Sequence, residues 1–434
     1  MPSISTIYTT LDSTITNSTT SFAEVVESSA LVDGTEYHVI CYGLIEASTN
    51  SNTYEWRLVD RTNSDAVLSD STIIREPTQA ARSQTYAYLG KITAGSDGGG
   101  IALEQRAVSA ATNCSTHFVS MLLLDLDNLA STDFFFANDQ TGATHTTAFA
   151  KRVSHTLSDS TQIDGQSWLV FGWADFATNS ESVNTVVSLS QDQDADTTLP
   201  QYSFEGEDLS EELSWMVCRP YTFSTGNNVI FSIESKDDGS VASQNAYIAS
   251  TLFGLRLGAF KNSDSYYDDD AITSTATTFQ EIARRTVTPD SSGDVVAVGS
   301  SIFVPASTNR KSSIRIQVDN TTSPNTVPDG EWAANSNDGS DELPLFYLTK
   351  YAGVADTAAT LDLDAKKTSS ADIGWKQISL AAFTTELSIV TPVTFAAVAT
   401  QSSSSGDVAA QGYDSGDTAA QPFASGDQAS EARP

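Results

Sequence analysis

The sequence predicts an all-β protein: three tandem antiparallel β-sandwich domains of jelly-roll type, followed by a low-complexity tail. Three observations predict it. A unit with a 130-residue period recurs three times, its apolar runs are strand-length and bounded by Asn, Asp, Ser and Gly, and charged residues make up only 18% of a Ser/Thr-rich chain. Long helices draw on Glu, Lys and Leu, whereas hydroxyl-bearing and β-branched residues suit strands. At 434 residues the chain exceeds one ordinary core. Its 39% hydrophobic content supplies enough apolar surface to exclude wholesale disorder.

The repeat is clearest in the back half of the unit. Tyr86-Ala-Tyr-Leu, Ile101-Ala-Leu-Glu-Gln-Arg and His117-Phe-Val-Ser shift onto Met216-Val-Cys-Arg, Phe231-Ser-Ile-Glu-Ser-Lys and Tyr247-Ile-Ala-Ser. A further shift gives Phe346-Tyr-Leu-Thr, Leu361-Asp-Leu-Asp-Ala-Lys and Gln377-Ile-Ser-Leu. Ile101, Phe231 and Leu361, with Leu103, Ile233 and Leu363, read as the inward residues of one alternating strand. Glu104, Glu234 and Asp364, each two residues before Arg106, Lys236 and Lys366, read as an outward acid and base on one face. Phe118, Ile248 and Ile378 read as the core side of the closing strand.

The front half is looser. Thr20-Ser-Phe22, Thr147-Ala-Phe149 and Thr277-Thr-Phe279 open the copies, and turns at Gly34, Gly165 and Gly293 follow. Long apolar strands come next: 37–47, 168–176 and 295–304. In the first copy the runs predict seven strands near 21–27, 37–47, 54–60, 66–75, 85–93, 101–108 and 117–126. Such a unit folds as two packed sheets. One short helical turn is expected, with Thr78 capping 79–82 after Pro77.

These marks divide the chain into sandwiches at 1–130, 131–262 and 263–387 and a tail at 388–434. Residues 261–273 read as the linker between the second and third copies. The tail repeats Ser-Gly-Asp at 405–407, 415–417 and 425–427, with Tyr413 and Phe423 at matching places in a ten-residue period. Its composition cannot build a core, and the regular aromatic suggests docking on a repeated surface.

A formal charge of −33 repels phosphate backbones and anionic lipid heads, so neither nucleic acid nor membrane is expected as a partner. No stretch approaches the ~20 apolar residues of a membrane helix. The start of the chain has no basic segment followed by an apolar one, so export as part of a larger particle assembled in a cytoplasm is expected. Cys41, Cys114 and Cys218 lack any metal or framework spacing and read as small buried residues, with a Cys41–Cys114 bridge as the alternative.

Catalytic patterns are missing. There is no HExxH, GxSxG, Walker loop or dinucleotide fingerprint, and no cofactor is expected. Gly95-Ser-Asp-Gly-Gly-Gly100 reads as a hairpin loop, since no lysine and helix follow it. Asp268-Asp269-Asp270 and Asp125-Leu-Asp127 contain calcium-type ligands but match no EF-hand, and read as solvated loops. Trp56, Trp168, Trp173, Trp215 and Trp375 fall at strand period and read as core. Trp332 reads as lying in a long polar loop and is the first candidate for an exposed contact; Tyr413 and Phe423 are the other candidates.

From about 18 to 387 the chain resembles the jelly-roll-repeat virion proteins of tailed bacteriophages and related viruses. The repeated Thr-x-Phe opening, the Gly turn before an apolar strand and the paired apolar residues before Lys or Arg carry the resemblance. It implies a non-catalytic homo-oligomeric virion component, a decoration, fibre or appendage, whose partners are other virion proteins or copies of itself. Two rivals stand beside it: an adhesin that binds a host-surface glycan, and a polysaccharide hydrolase.

Overall fold

Strand propensity, alternating burial and Gly- or Asp-led turns produce an almost purely β chain. The structure, a computed structural model, describes residues 2–388 except 48–51, 76–81, 109–111, 179–183, 193–201, 206–210, 224–227, 238–244, 275, 292, 305–309, 319–329, 335–341 and 368–372. Met1–Ile389 form one compact unit. The expected helical turn after Pro77 and the tail aromatics Tyr413 and Phe423 lie outside the described residues.

The first repeat contains β1 (Ser5–Leu11), β2 (Ile15–Asn17), β3 (Ala23–Glu27), β4 (Glu36–Ala47) and β5 (Tyr54–Asp60). It continues with β6 (Ala66–Val67), β7 (Ile73–Arg75), β8 (Arg82–Thr93), β9 (Ile101–Ala107) and β10 (Cys114–Asp125). One sheet has the order β1-β10-β4-β8, with β2 also on β10; the other has β3-β9-β5-β6, with β7 also on β5. The second repeat contains β11 (Phe134–Asp139), β12 (Ala143–Thr144), β13 (Ala150–Leu157), the single-turn α1 (Ser160–Ile163) and β14 (Ser167–Thr178). Then follow β15 (Asn184–Gln191), β16 (Tyr202–Glu205), β17 (Glu211–Thr222), β18 (Val229–Asp237) and β19 (Asn245–Arg256). The third contains β20 (Ser263–Asp268), β21 (Ile272–Ser274), β22 (Gln280–Val287), β23 (Asp294–Val304), β24 (Arg310–Val318), β25 (Gly330–Ala334), β26 (Leu343–Ala352), β27 (Ala359–Lys367) and β28 (Ile373–Thr384). Their sheets, β11-β19-β14-β17 with β13-β18-β15-β16, and β20-β28-β23-β26 with β22-β27-β24-β25, repeat the same order. All three are jelly rolls.

Eight strand positions per roll replace the expected seven. The position missed is the first: β1, β11 and β20 lie ahead of the Thr-x-Phe triplets, which therefore do not open their copies. The stretch 261–273 is no linker, because β20 and β21 pair along β28. These are edge strands with mostly half-exposed, polar residues such as Ser-Asp-Ser-Tyr-Tyr-Asp. An edge strand buries little and leaves a weak hydrophobic pattern. The expected strand 66–75 is two short ones, and Gly95–Gly100 joins β8 to β9 in the opposite sheet rather than closing a hairpin.

Two irregularities recur in every roll. The closing strand bulges against its neighbour at Thr116/Phe118, at Ile248 opposite Asp175/Phe176, and opposite Ser300/Ile302. The bulge explains why Ile248 is only half-buried while Phe118 and Ile378 are core. Strand β3 bulges at Glu24/Val26, and β13 and β22 do so at the matching places. Each long strand also has a mid-strand glycine. A Cβ at Gly43 would lie 2.9 Å from the Phe118 carbonyl oxygen, and one at Gly299 would lie 2.7 Å from a Leu363 methyl.

The sheets β1-β10-β4-β8, β11-β19-β14-β17 and β20-β28-β23-β26 are buried on both faces and are called inner sheets below. Strands β4, β10 and β23 are buried along almost their whole length, whereas β13 and β22 alternate. Double-sided burial is what the long unalternating apolar runs at 37–47 and 295–304 encode. Buried residues from all three rolls meet in one core, while the interior of the second roll forms a further cluster of its own.

The rolls close a ring, and each seam uses the same strand position. Ala87 O on the edge strand β8 accepts hydrogen bonds from Ser214 Oγ (2.7 Å) and Trp173 Nε1 (2.8 Å) of the second roll. Cys218 O on the edge strand β17 accepts from Ser300 Oγ of the third (2.9 Å). Leu348 O on the edge strand β26 accepts from Ser120 Oγ (3.0 Å) and Tyr8 OH (3.3 Å) of the first. An exposed sheet edge invites pairing with another chain; here hydroxyl and indole donors of the next roll cover it. A head-to-tail contact repeated around a closing rotation makes a ring rather than a filament. Phe346 sits where the rolls meet, with ring centroids 5.4 Å from Tyr42 and 6.4 Å from Phe171. The first residues of the first roll also bond to the segment after β28: Ile4 N donates to Thr385 O and Leu387 N to Pro2 O, each at 3.0 Å.

Candidate functional site

The outer sheets hold the repeated charges, and the fold brings two separate sequence marks together there. Phe22 of the first Thr-x-Phe triplet lies under the guanidinium groups of Arg57 (3.5 Å) and Arg106 (4.3 Å). Phe149 lies under the Lys236 ammonium (5.0 Å), and Phe279 under Arg315 (4.0 Å) and Lys366 (4.5 Å). Each base expected to point outward therefore stands on the aromatic ring expected to open its copy, a cation–π pair made three times.

The acids are less exposed than expected. Glu104 and Asp364 are each only 6% exposed. Glu104 is held by Arg57 (2.8 Å) and Arg61 (2.9 Å), and Asp364 by Arg315 (3.0 Å). Burial pushes the Asp364 carboxyl up in spite of that arginine. Glu234 departs from the pattern and accepts from Ser232 Oγ at 3.1 Å. The pairs in the first and third rolls run between strands, and the aromatic and the neighbouring strands cover them. Cations with both a ring and a carboxylate are satisfied where they stand, so this face is built to be stiff rather than to capture a ligand.

One network has the connectivity of an acyl-transfer triad. Ser235 Oγ lies 3.1 Å from His145 Nε2, and His145 Nδ1 lies 3.3 Å from Asp237. Ser235 and Asp237 share a face of β18, ninety residues from His145, so no sequence motif announced them. All three are buried, and Arg152 Nε donates to Ser235 Oγ at 2.6 Å. Burial lowers the His145 pKa to about 3, with Arg152 adding to the effect. A nucleophile must reach a substrate carbonyl, and this hydroxyl is enclosed. A fluorophosphonate probe is therefore expected to leave Ser235 unmodified in the folded protein. Mass-spectrometric detection of the adduct at Ser235 would overturn that reading.

A second buried acid sits at the first seam. Asp175, 1% exposed, has one carboxylate oxygen without a hydrogen-bond partner. Burial raises its pKa well above the ordinary value, and Glu212 and Asp70 push the same way while the Phe176 backbone opposes them. Glu212 is raised too, first by burial, although its carboxylate accepts from Ile74 N of the first roll at 2.7 Å. Because the folded-state pKa of Asp175 is raised, its contribution is full at low pH and is lost as pH rises through that value. Asp175→Asn is expected to flatten this alkaline-side loss and to stabilise the chain at neutral pH by about 1–3 kcal/mol. Urea midpoints measured from pH 5 to 9 test it; an unchanged slope would refute it.

The remaining candidates fall as follows. Trp332 lies in strand β25 opposite Ser312, not in a loop; its side chain is outside the described residues. Turn-rich flanks hid a short edge strand there. Trp56, Trp168, Trp173, Trp215 and Trp375 are all buried. The three cysteines are free and buried, so the Cys41–Cys114 bridge is not made. Asp268, Asp269 and Asp270 lie together, but Asp268 already accepts from Tyr266 OH and Asp270 N. Asp125 likewise accepts from Asp127 N. Among the described residues no helix is long and apolar enough to cross a membrane.

No family model and no curated protein matches the chain. Among solved structures it is similar to a protein of an archaeal virus described by its triple jelly roll fold and turret assembly. The identity is 10% over 85% of this chain and 82% of that one, with a TM-score of 0.19. A protein of Sulfolobus turreted icosahedral virus is 11% identical over 85% and 83%, with a TM-score of 0.18. PNGase F, a glycosylasparaginase from Flavobacterium meningosepticum, is 8% identical over 58% and 96%, with a TM-score of 0.29. At these identities and TM-scores none of the three assigns a role to this chain.

Proposed function

We propose that this chain is a non-catalytic structural component of a virus particle, placed on its surface as a decoration, fibre or appendage. The observation that carries the proposal is the closed ring of three jelly rolls. One chain supplies three like modules, covers one edge of every inner sheet with the next module, and buries a common core at their meeting point. Such a body is rigid and presents its outer sheets in three near-equivalent directions, which suits repeated contacts with copies of itself or with other particle proteins. The acidic surface keeps it soluble at high copy number and away from nucleic acid. The Ser235–His145–Asp237 network is enclosed, which agrees with a structural role.

Mass spectrometry and electron microscopy of purified particles test this. The chain is expected as a stoichiometric particle component with density for a three-lobed body. Its recovery only as a free soluble protein, absent from every particle, would refute the proposal.

A further inference from the structure

The first seam contains a cleft that the ring does not need. It opens between the β6–β7 loop and β8 of the first roll and β11, β14 and β19 of the second, with a volume of about 140 Å³. That is room for about five waters. Its walls are aromatic: Tyr88 and Trp173 meet edge to face at 5.6 Å, and Phe136 stands beside them. Its polar groups are the Asp70 carboxylate, the Asn138 amide and the Thr251 and Tyr88 hydroxyls.

These polar groups are largely unspent. Asp70 accepts only from its neighbour Ser69, at 2.8 Å. The Tyr88 hydroxyl, the Thr251 hydroxyl and the Asn138 amide make no hydrogen bond to another described residue, although Tyr88 is 5% and Thr251 3% exposed. Tyr88 and Thr251 are buried residues, Asp70 is half-buried and Asn138 exposed; with polar atoms left unbonded to protein, all four can serve a solvent or ligand partner in the cleft. The one cation on the rim, Lys91, is held by Glu36 at 3.0 Å. The cleft therefore offers a carboxylate and hydroxyls without a free positive charge, which disfavours an anion.

We propose that this cleft is a binding site for a single neutral monosaccharide unit. A pyranose has apolar C–H faces for the aromatic walls, and vicinal hydroxyls that donate to a carboxylate while an amide and hydroxyls serve the rest. The volume seats part of one ring, the rest standing in solvent, and leaves no room for a chain. A ligand of about a dozen heavy atoms at ordinary efficiency binds with Kd of about 1 mM. The site goes beyond the particle role and does not depend on it.

The test is ligand-observed NMR with the purified full chain and a panel of methyl glycosides, neutral and sialylated. At least one neutral glycoside is expected to show saturation transfer and a millimolar Kd. Asp70→Asn and Asn138→Ala are each expected to weaken it about tenfold, with unchanged thermal unfolding. Asp70 is left-handed, φ 55°, a conformation Asn tolerates, so that variant keeps the loop. Silence across the panel at tens of millimolar, preference for the sialylated probe alone, or binding indifferent to both variants would overturn the site. None of these results bears on particle assembly, which is tested in the particles.

Discussion

Phe346→Ala is expected to destabilise all three jelly rolls together, by about 3–5 kcal/mol. The ring is 1% exposed and faces both Tyr42 of the first roll and Phe171 of the second. Removing it opens a cavity where three inner sheets meet, and flat sheets stiffened by hydrogen-bonded neighbours collapse poorly into such a space. Because one core takes in buried residues of every roll, although the second roll also has a cluster of its own, denaturation followed by tryptophan fluorescence and near-ultraviolet circular dichroism is expected to show one shifted transition. A loss below 1 kcal/mol, or a separate transition affecting only the third roll, would show that the rolls are independent beads.

Acid is expected to weaken the first seam through His38, and His38→Phe to remove that weakness. The imidazole is 2% exposed, stacks on Phe253 at 4.9 Å, and has Phe134 and Phe136 at its edges. Burial lowers its pKa to about 4, with Glu36 opposing and Lys91 assisting. Glu36 lies 3.8 Å away and would favour a charged pair, but that carboxylate is 43% exposed and water screens it, so burial wins. The native state thus holds a neutral imidazole that the unfolded chain protonates. The resulting stability is present above the ordinary histidine pKa of 6.5 and is lost as pH falls toward about 4. The full loss is about 3 kcal/mol. His145 acts with the same sign, over a window reaching about pH 3. Phenylalanine fits the aromatic nest and leaves no unpaired Nδ1, which has no partner in the native protein. Urea midpoints between pH 7 and 4 are expected to fall steeply in the native chain and less in the variant. Parallel slopes would show that His38 does not set the acid limit.

Much of the fold was legible because it repeats. Ile101, Phe231 and Leu361 proclaimed one strand three times, and the long runs at 37–47, 168–176 and 295–304 marked the inner sheets. Strands β1 and β20 were not legible, because an edge position with half-exposed Ser, Thr, Asp and Tyr carries no clear period; β11, Phe-Phe-Phe-Ala-Asn-Asp, is apolar at its start but does not alternate. Trp332 was misplaced for a related reason: β25 is a short edge strand bracketed by turn residues. The clustering of Ser235, His145 and Asp237, and the seam carboxyls Asp175 and Glu212, left no local trace, since the residues that meet are far apart in sequence.

The sequence by itself determined an all-β chain of three like units, the identity of most inner-sheet strands, and the recurrence of an acid and a base two residues apart along β9, β18 and β27. Local periodicity and turn chemistry carry that information, and they act over a few residues. Only the tertiary structure decided that those bases stand on Phe22, Phe149 and Phe279, and that their acids in the first and third rolls are covered rather than exposed. It alone decided that Ser120, Ser214 and Ser300 cap the edge of a neighbouring roll instead of facing water. A serine's sequence neighbours say which face of a strand it occupies. Whether that face meets solvent or another sheet depends on the closure of the ring.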